Sequence, residues 1–119
     1  MSLTLYGIPN CDTVKKARGW LDANGLAYRF HDYKKSGVDE ARLRGWVDSA
    51  GWEKVLNRQG TTFRKLPESQ RSDLDADKAV AVMLANPPAI KRPIVEGGDE
   101  LLVGFDPARW AVVLAGEVR

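Results

Sequence analysis

Apolar and polar positions change period several times along this chain. Leu3–Tyr6 opens as an apolar run of strand character, and Gly7, Pro9 and Asn10 break it. Helical spacing follows at once. Val14, Ala17 and Leu21 recur on one face, while Lys15, Lys16 and Asp22 fall on the other. A helix from about Cys11 to Asn24 is predicted, stopped where Asn24-Gly25 supplies a left-handed position. Leu26, Tyr28 and Phe30 then alternate with Ala27, Arg29 and His31, the pattern of a second strand with one apolar face. Strand, helix and strand make a β-α-β unit, whose crossover usually gives a parallel pair.

From Asp39 to Ala50 the period is helical again, with Leu43, Trp46, Val47 and Ala50 on one face and Gly51 as the stop. Trp52–Leu56 reads as another short helical turn, and Asn57–Leu66, with Gly60 and paired threonines, reads as irregular. Asp73 or Asp75 is placed to cap a helix carrying Ala79, Val80, Met83 and Leu84, stopped by Asn86 and Pro87-Pro88. Strand signals then return. Pro93-Ile94-Val95, Gly97-Gly98 and Glu100–Val103 spell strand, tight turn, strand, hence an antiparallel hairpin. Asp106-Pro107 opens a last helix with Trp110, Val113 and Leu114 on its apolar side and Gly116 as its end. The order β-α-β, helical insert, β-β-α is the plan of an α/β thioredoxin-type sheet. One discontinuous domain is expected, residues about 1–35 and 87–119 carrying the sheet and about 36–86 forming a helical insertion.

Composition narrows the class. At 119 residues, 44% hydrophobic and 29% charged, the chain is ordinary for one soluble domain. It holds no apolar run of membrane-spanning length and no signal peptide, so the default reading is cytoplasmic with no membrane partner. The net charge of +2, with bases and acids interspersed, gives no argument for a nucleic-acid partner. Its single cysteine excludes an internal disulfide, and no metal site is expected.

That cysteine is the first chemical candidate. Cys11 falls where the loop meets the first helix, so its thiol faces the unpaired N–H groups of a helix start, which stabilise negative charge. The amides of Asp12 and Thr13 are candidates to stabilise the thiolate or hold an anion, with the Asp12 carboxylate opposing it. The plain alternative is a small buried apolar residue. Three residues on, where a C-x-x-C protein has its second thiol, stands Val14. Any redox cycle must take its second thiol from outside, and glutathione is the obvious small donor.

Arg92-Pro93 is the second candidate. From that stretch alone the favoured reading is a surface arginine beside an ordinary trans proline. The alternative is a cis peptide with Arg92 held toward an oxyanion or carboxylate. Asn57, Arg58, Thr61, Thr62, Arg64 and Lys65 form a polar, basic patch, read as a solvated loop or as an anion-binding lip. His31 is expected to be an ordinary edge residue. The four tryptophans are expected to pack helices.

Y-G-I-P-N-C-D-T-V-K-K-A at Tyr6–Ala17, N-R-Q-G-T-T-F-R-K-L at Asn57–Leu66, I-K-R-P-I-V at Ile90–Val95 and L-V-G-F at Leu102–Phe105 together resemble the arsenate-reductase-like family, which includes the Spx-type regulators. The resemblance covers nearly the whole chain in order. It implies a thioredoxin-like fold with a helical insertion, Cys11 as nucleophile, and a cis-Pro93 preceded by an Arg92 that contacts an oxyanion or glutathione. Asn10, Asp12 and Thr13 would line the anion site. Asn57, with Arg58 beside it, occupies the place of a second arginine of true arsenate reductases, and a third arginine has no counterpart here. With Asp12-Thr13-Val14 after the cysteine, the chain looks most like a small branch of glutathione-dependent thiol reductases. That branch implies glutathione as co-substrate and a small oxidised substrate, a disulfide or an oxyanion. The alternatives within the resemblance are an arsenate reductase and an Spx-type regulator that binds RNA polymerase.

Overall fold

The structure, a computed structural model, describes residues 2–98 and 100–115. The chain divides into two units, residues 1–36 with 92–119, and residues 37–91.

The first unit is built on a four-stranded sheet in the order β2-β1-β3-β4. Strand β1 is Leu3–Gly7, helix α1 is Asp12–Ala23 and strand β2 is Tyr28–Asp32. The crossover is parallel, with Leu3 opposite Tyr28 and Gly7 opposite Asp32. Leu26 is buried just before β2, so the apolar alternation begins two residues ahead of the strand pairing. Gly25 ends α1 with φ 68°, a backbone conformation that costs a residue with a Cβ. A four-residue helix, α2 at Tyr33–Ser36, follows β2 directly.

The second unit runs through short helices: α3 Glu40–Ala50, α4 Trp52–Val55, α5 Thr61–Arg64, α6 Glu68–Arg71 and α7 Ala76–Ala85, then a 3-10 turn at Pro87–Ala89. Asp39 caps α3 by accepting from the Arg42 amide at 3.0 Å, and Asp75 caps α7 by accepting from the Lys78 amide at 2.8 Å. Of the two capping candidates, Asp73 instead takes a turn conformation with φ 52°. Helix α3 packs on α7, and Leu43, Trp46 and Val47 of the first and Val80 and Met83 of the second are buried. The stretch Asn57–Leu66 is not wholly irregular. Thr61–Arg64 closes a helical turn whose apolar residue, Phe63, is buried. A single buried side chain gives no period to read, which is why the turn is invisible in the sequence pattern.

The first unit resumes with β3 at Ile94–Glu96, β4 at Leu102–Val103 and α8 at Pro107–Val113. β3 runs antiparallel to β1, with Tyr6 opposite Ile94, and forms a hairpin with β4, with Ile94 opposite Val103. Asp106 caps α8 by accepting from the Ala108 and Arg109 amides. The expected stop at Gly116 lies outside the described residues.

This unit's core joins Leu3, Leu5, Val14, Ala17, Leu21, Leu26, Val95, Leu102, Trp110 and Leu114. Trp110 is its largest fully buried side chain, and its indole N–H donates to the Gly104 carbonyl at 3.1 Å, so the ring enters the core without an unpaired polar group. Trp20 and Phe105 both meet it edge-on. Among the described residues, no helix is long and apolar enough to cross a membrane.

Candidate functional site

The sheet brings three chain segments to one end of the first unit. β1 ends at Gly7, and the loop after it delivers Cys11. β2 ends at Asp32, opposite Gly7, and delivers Tyr33. β3 begins at Ile94, opposite Tyr6, so Arg92 and Pro93 enter the sheet at this same end. The Arg92–Pro93 peptide is cis, in place of the ordinary trans bond that the stretch alone favours. Pro93 is buried, and its carbonyl accepts from the Gly104 amide at 2.8 Å, which ties the segment to the end of β4.

Cys11 is the N-cap residue of α1 and is half-buried. Its amide donates to the Ile8 carbonyl at 3.2 Å, and its own carbonyl accepts from the Lys15 amide at 3.0 Å, so the backbone on both sides of the sulfur is fixed. Gly7 helps to place it. A Cβ on Gly7 would stand 2.9 Å from Cγ2 of Val14, so the end of β1 and the first turn of α1 approach more closely than any larger residue permits.

As a thiol, Cys11 closes no capping hydrogen bond from its side chain. The first-turn amides act instead on the charged form. Partial burial of the sulfur raises the thiol pKa. The Val14 amide, the Arg92 guanidinium and the Thr13 amide outweigh that and hold the pKa below the ordinary value. The amide donors are thus Thr13 and Val14 rather than Asp12 and Thr13. The reason is geometric: a group at the N-cap reaches the second and third helical N–H groups, and Asp12 occupies the first position. Asp12 and Thr13 both have exposed side chains, and Asn10 is exposed in the turn before Cys11.

Asn57 and Arg58 belong to the second unit. There Asn57 is half-buried, with its amide donating to the Ala89 carbonyl at 2.8 Å and its side-chain oxygen accepting from the Gln59 amide at 3.2 Å. Arg58 is exposed, its guanidinium 5.3 Å from the Trp52 ring centroid. His31 is half-buried with its ring 4.9 Å from that of Tyr6.

One residue of this end of the sheet was not visible in the sequence. Tyr33 is fully buried, and its hydroxyl lies close enough to Arg92 to accept a hydrogen bond and to Cys11 to feel its charge. The only sequence signal was position: an aromatic residue directly after the second strand of a β-α-β unit, at the strand end where the first loop also lies. Among the described residues, no three His, Cys, Asp or Glu side chains gather as a metal site.

A four-stranded sheet with one cysteine at a helix start and a cis-proline opening the third strand defines a single-thiol protein of thioredoxin-like fold. Comparison with known proteins gives the family. The chain belongs to the ArsC family, whose model matches residues 6–113. It is similar to the solved structure of a protein named YFFB, at 56% identity and TM-score 0.91, over 94% of this chain and 98% of that one. It is also similar to an arsenate reductase (ArsC) related protein from Brucella melitensis, at 54% identity and TM-score 0.75, over 94% and 93% of the two chains. Among characterised sequences, the global transcriptional regulator Spx of Listeria innocua is 27% identical over 98% of this chain and 90% of its own length.

Proposed function

We propose that the protein is a thiol-disulfide reductase that uses Cys11 as its single nucleophile and glutathione as co-substrate. The observation that carries this reading is the convergence of the Val14 and Thr13 amides and the Arg92 guanidinium on one sulfur, which lowers the thiol pKa. Val14 stands where a second thiol of the same motif would be, so the mixed disulfide has no internal partner to resolve it.

The cycle balances with two external thiols. The Cys11 thiolate attacks one sulfur of the substrate disulfide. A new bond joins Cys11 to that half, and the other half leaves as a thiolate that takes a proton from water. A glutathione thiolate then attacks the substrate sulfur of the mixed disulfide, which frees Cys11 and leaves that half bonded to glutathione. A second glutathione displaces it as a thiol and yields oxidised glutathione. Arg92 and the two amides stabilise the sulfur anion that leaves in the second step. Asn10, Asp12, Thr13 and Pro93 are proposed to line the anion site in front of the sulfur.

The test is a glutathione-coupled reductase assay that compares a small disulfide with arsenate, with Cys11→Ser as control. Turnover of the disulfide that disappears in Cys11→Ser is expected. Turnover of arsenate alone would move the reading to an arsenate reductase. A second reading follows from the similarity to Spx across almost the whole chain: a regulator that contacts RNA polymerase. Retention of the chain on immobilised polymerase α subunit, together with no turnover of either substrate, would favour it.

A further inference from the structure

Asp32 ends β2, and its Oδ1 accepts from the amides of Lys34 at 3.1 Å and Lys35 at 3.2 Å. These bonds start α2 without a linker and make Tyr33 its first residue, with the side chain turned wholly inward. Burying a phenol is costly unless its oxygen finds a partner. Arg92, which enters the sheet at the same end, is near enough to serve as a partner, since its guanidinium offsets part of what burial does to the phenol. The same guanidinium faces the Cys11 sulfur. One arginine is therefore shared between a fixed buried anchor and the thiol. An arginine side chain has many rotamers, and on a half-exposed residue most of them point away from any one atom.

We propose that Tyr33 is a positioning residue of the thiol site, whose buried hydroxyl accepts a hydrogen bond from Arg92 and so holds the guanidinium against Cys11. The anchor is suited to this over the whole range in which the thiol titrates. Burial pushes the Tyr33 phenol well above its ordinary value, so it stays neutral and adds no second anion beside the sulfur. The charged groups that face Tyr33 are Arg92, Cys11 and Asp32. Those around Cys11 are Arg92, Tyr33 and, from its own helix, Asp12. Of the other titratable groups on the strands beside α2, the Tyr6 hydroxyl donates to Glu96 at 2.8 Å and its ring meets His31.

The proposal rests on Cys11 being the reactive group, and the experiment separates the two. The rate of Cys11 alkylation by iodoacetamide is measured against pH in the full chain, in Tyr33→Phe, in Arg92→Met and in the double variant. Tyr33→Phe should move the profile to higher pH and slow the reaction at pH 7 by about threefold. In the Arg92→Met background, Tyr33→Phe should change nothing further. A wild-type profile at the free-cysteine value would overturn the reading of Cys11 itself. A low wild-type profile that Tyr33→Phe leaves in place overturns only the role of Tyr33. An equal shift in both backgrounds also overturns it, since Tyr33 would then act without Arg92. A second measurement leaves Tyr33 intact. With tyrosines labelled at Cζ with 13C, Arg92→Met should move the Tyr33 resonance and leave that of Tyr28, whose hydroxyl accepts from Arg18 at 2.8 Å. An unmoved Tyr33 resonance defeats the proposal.

Discussion

The start of α1 differs from the starts of α3 and α7 in what occupies the cap. In the helical unit, Asp39 and Asp75 each turn a carboxylate back onto the first turn of α3 and α7 and close a hydrogen bond to an amide. In the sheet unit, α1 begins at Cys11, and no capping bond is made by the side chain. A carboxylate cap stabilises a helix by about 1 kcal/mol, and α1 forgoes much of that as long as the sulfur keeps its proton. The amides that an aspartate would occupy are those that act on the thiolate. At α1 a weak acceptor at the cap leaves the first-turn donors available to the charged sulfur.

Cys11→Ser breaks this contrast most sharply. It should abolish turnover and alkylation completely. It should also stabilise the protein at pH 5 by up to about 1 kcal/mol, because a hydroxyl caps better than a thiol. The advantage must shrink as pH rises. The thiol pKa of Cys11 is lowered by folding, so its stabilising effect is present above the unfolded pKa and lost as pH falls through the folded one. Urea unfolding of both proteins between pH 5 and pH 10 measures this. A gap that stays constant would mean that the amides do not act on the sulfur.

The next effect is steric. Gly7→Val drives a side chain into Val14, which a Cβ alone would meet at 2.9 Å, and should cost about 1–3 kcal/mol in urea unfolding. Adding Val14→Ala should recover part of the loss. If it recovers none, the close approach of β1 to α1 is not what sets the site.

In the helical unit the caps are structural. Asp39→Ala and Asp75→Ala should each cost about 1 kcal/mol and leave the pH profile of Cys11 alkylation where it was. A shifted profile would show that the two units are not separable in this respect. The smallest effect belongs to Arg44, which pairs with Glu40 at 3.0 Å and Asp77 at 2.9 Å with all three side chains largely exposed. Arg44→Ala should leave the urea midpoint almost where it was, with any difference smaller still in high salt.

Where the fold was legible, a periodic pattern carried it. Val14, Ala17 and Leu21 announced α1, and Leu43, Trp46 and Val47 announced α3, because long amphipathic helices repeat their signal. Asp106-Pro107 marked the start of α8. Thr61–Arg64 and Glu68–Arg71 were not announced, since a four-residue turn has no second period to display. The hairpin was legible from Gly97-Gly98, but β4 pairs over only two residues, Leu102–Val103. At the site, Cys11 and Arg92 stood out by residue type and by the motifs around them. Tyr33 did not, because its relation to Arg92 exists only once Asp32 pairs with Gly7 and Tyr6 with Ile94. Sequence neighbours of a strand end carry no sign of which other strand ends they will meet. The donor role of the Val14 amide was hidden for a different reason. A backbone N–H is the same in every residue, and the side chain of Val14 spoke only of the core.

The solitary cysteine has a practical consequence. Every disulfide or thiol adduct that forms on this chain forms on one atom. The mass of the intact protein after exposure to a disulfide or a candidate substrate therefore names the attached thiol directly, with no digestion and no assignment among rival thiols. A cell extract trapped with acid during turnover would yield, as a set of discrete mass increments, a roster of what this sulfur encounters.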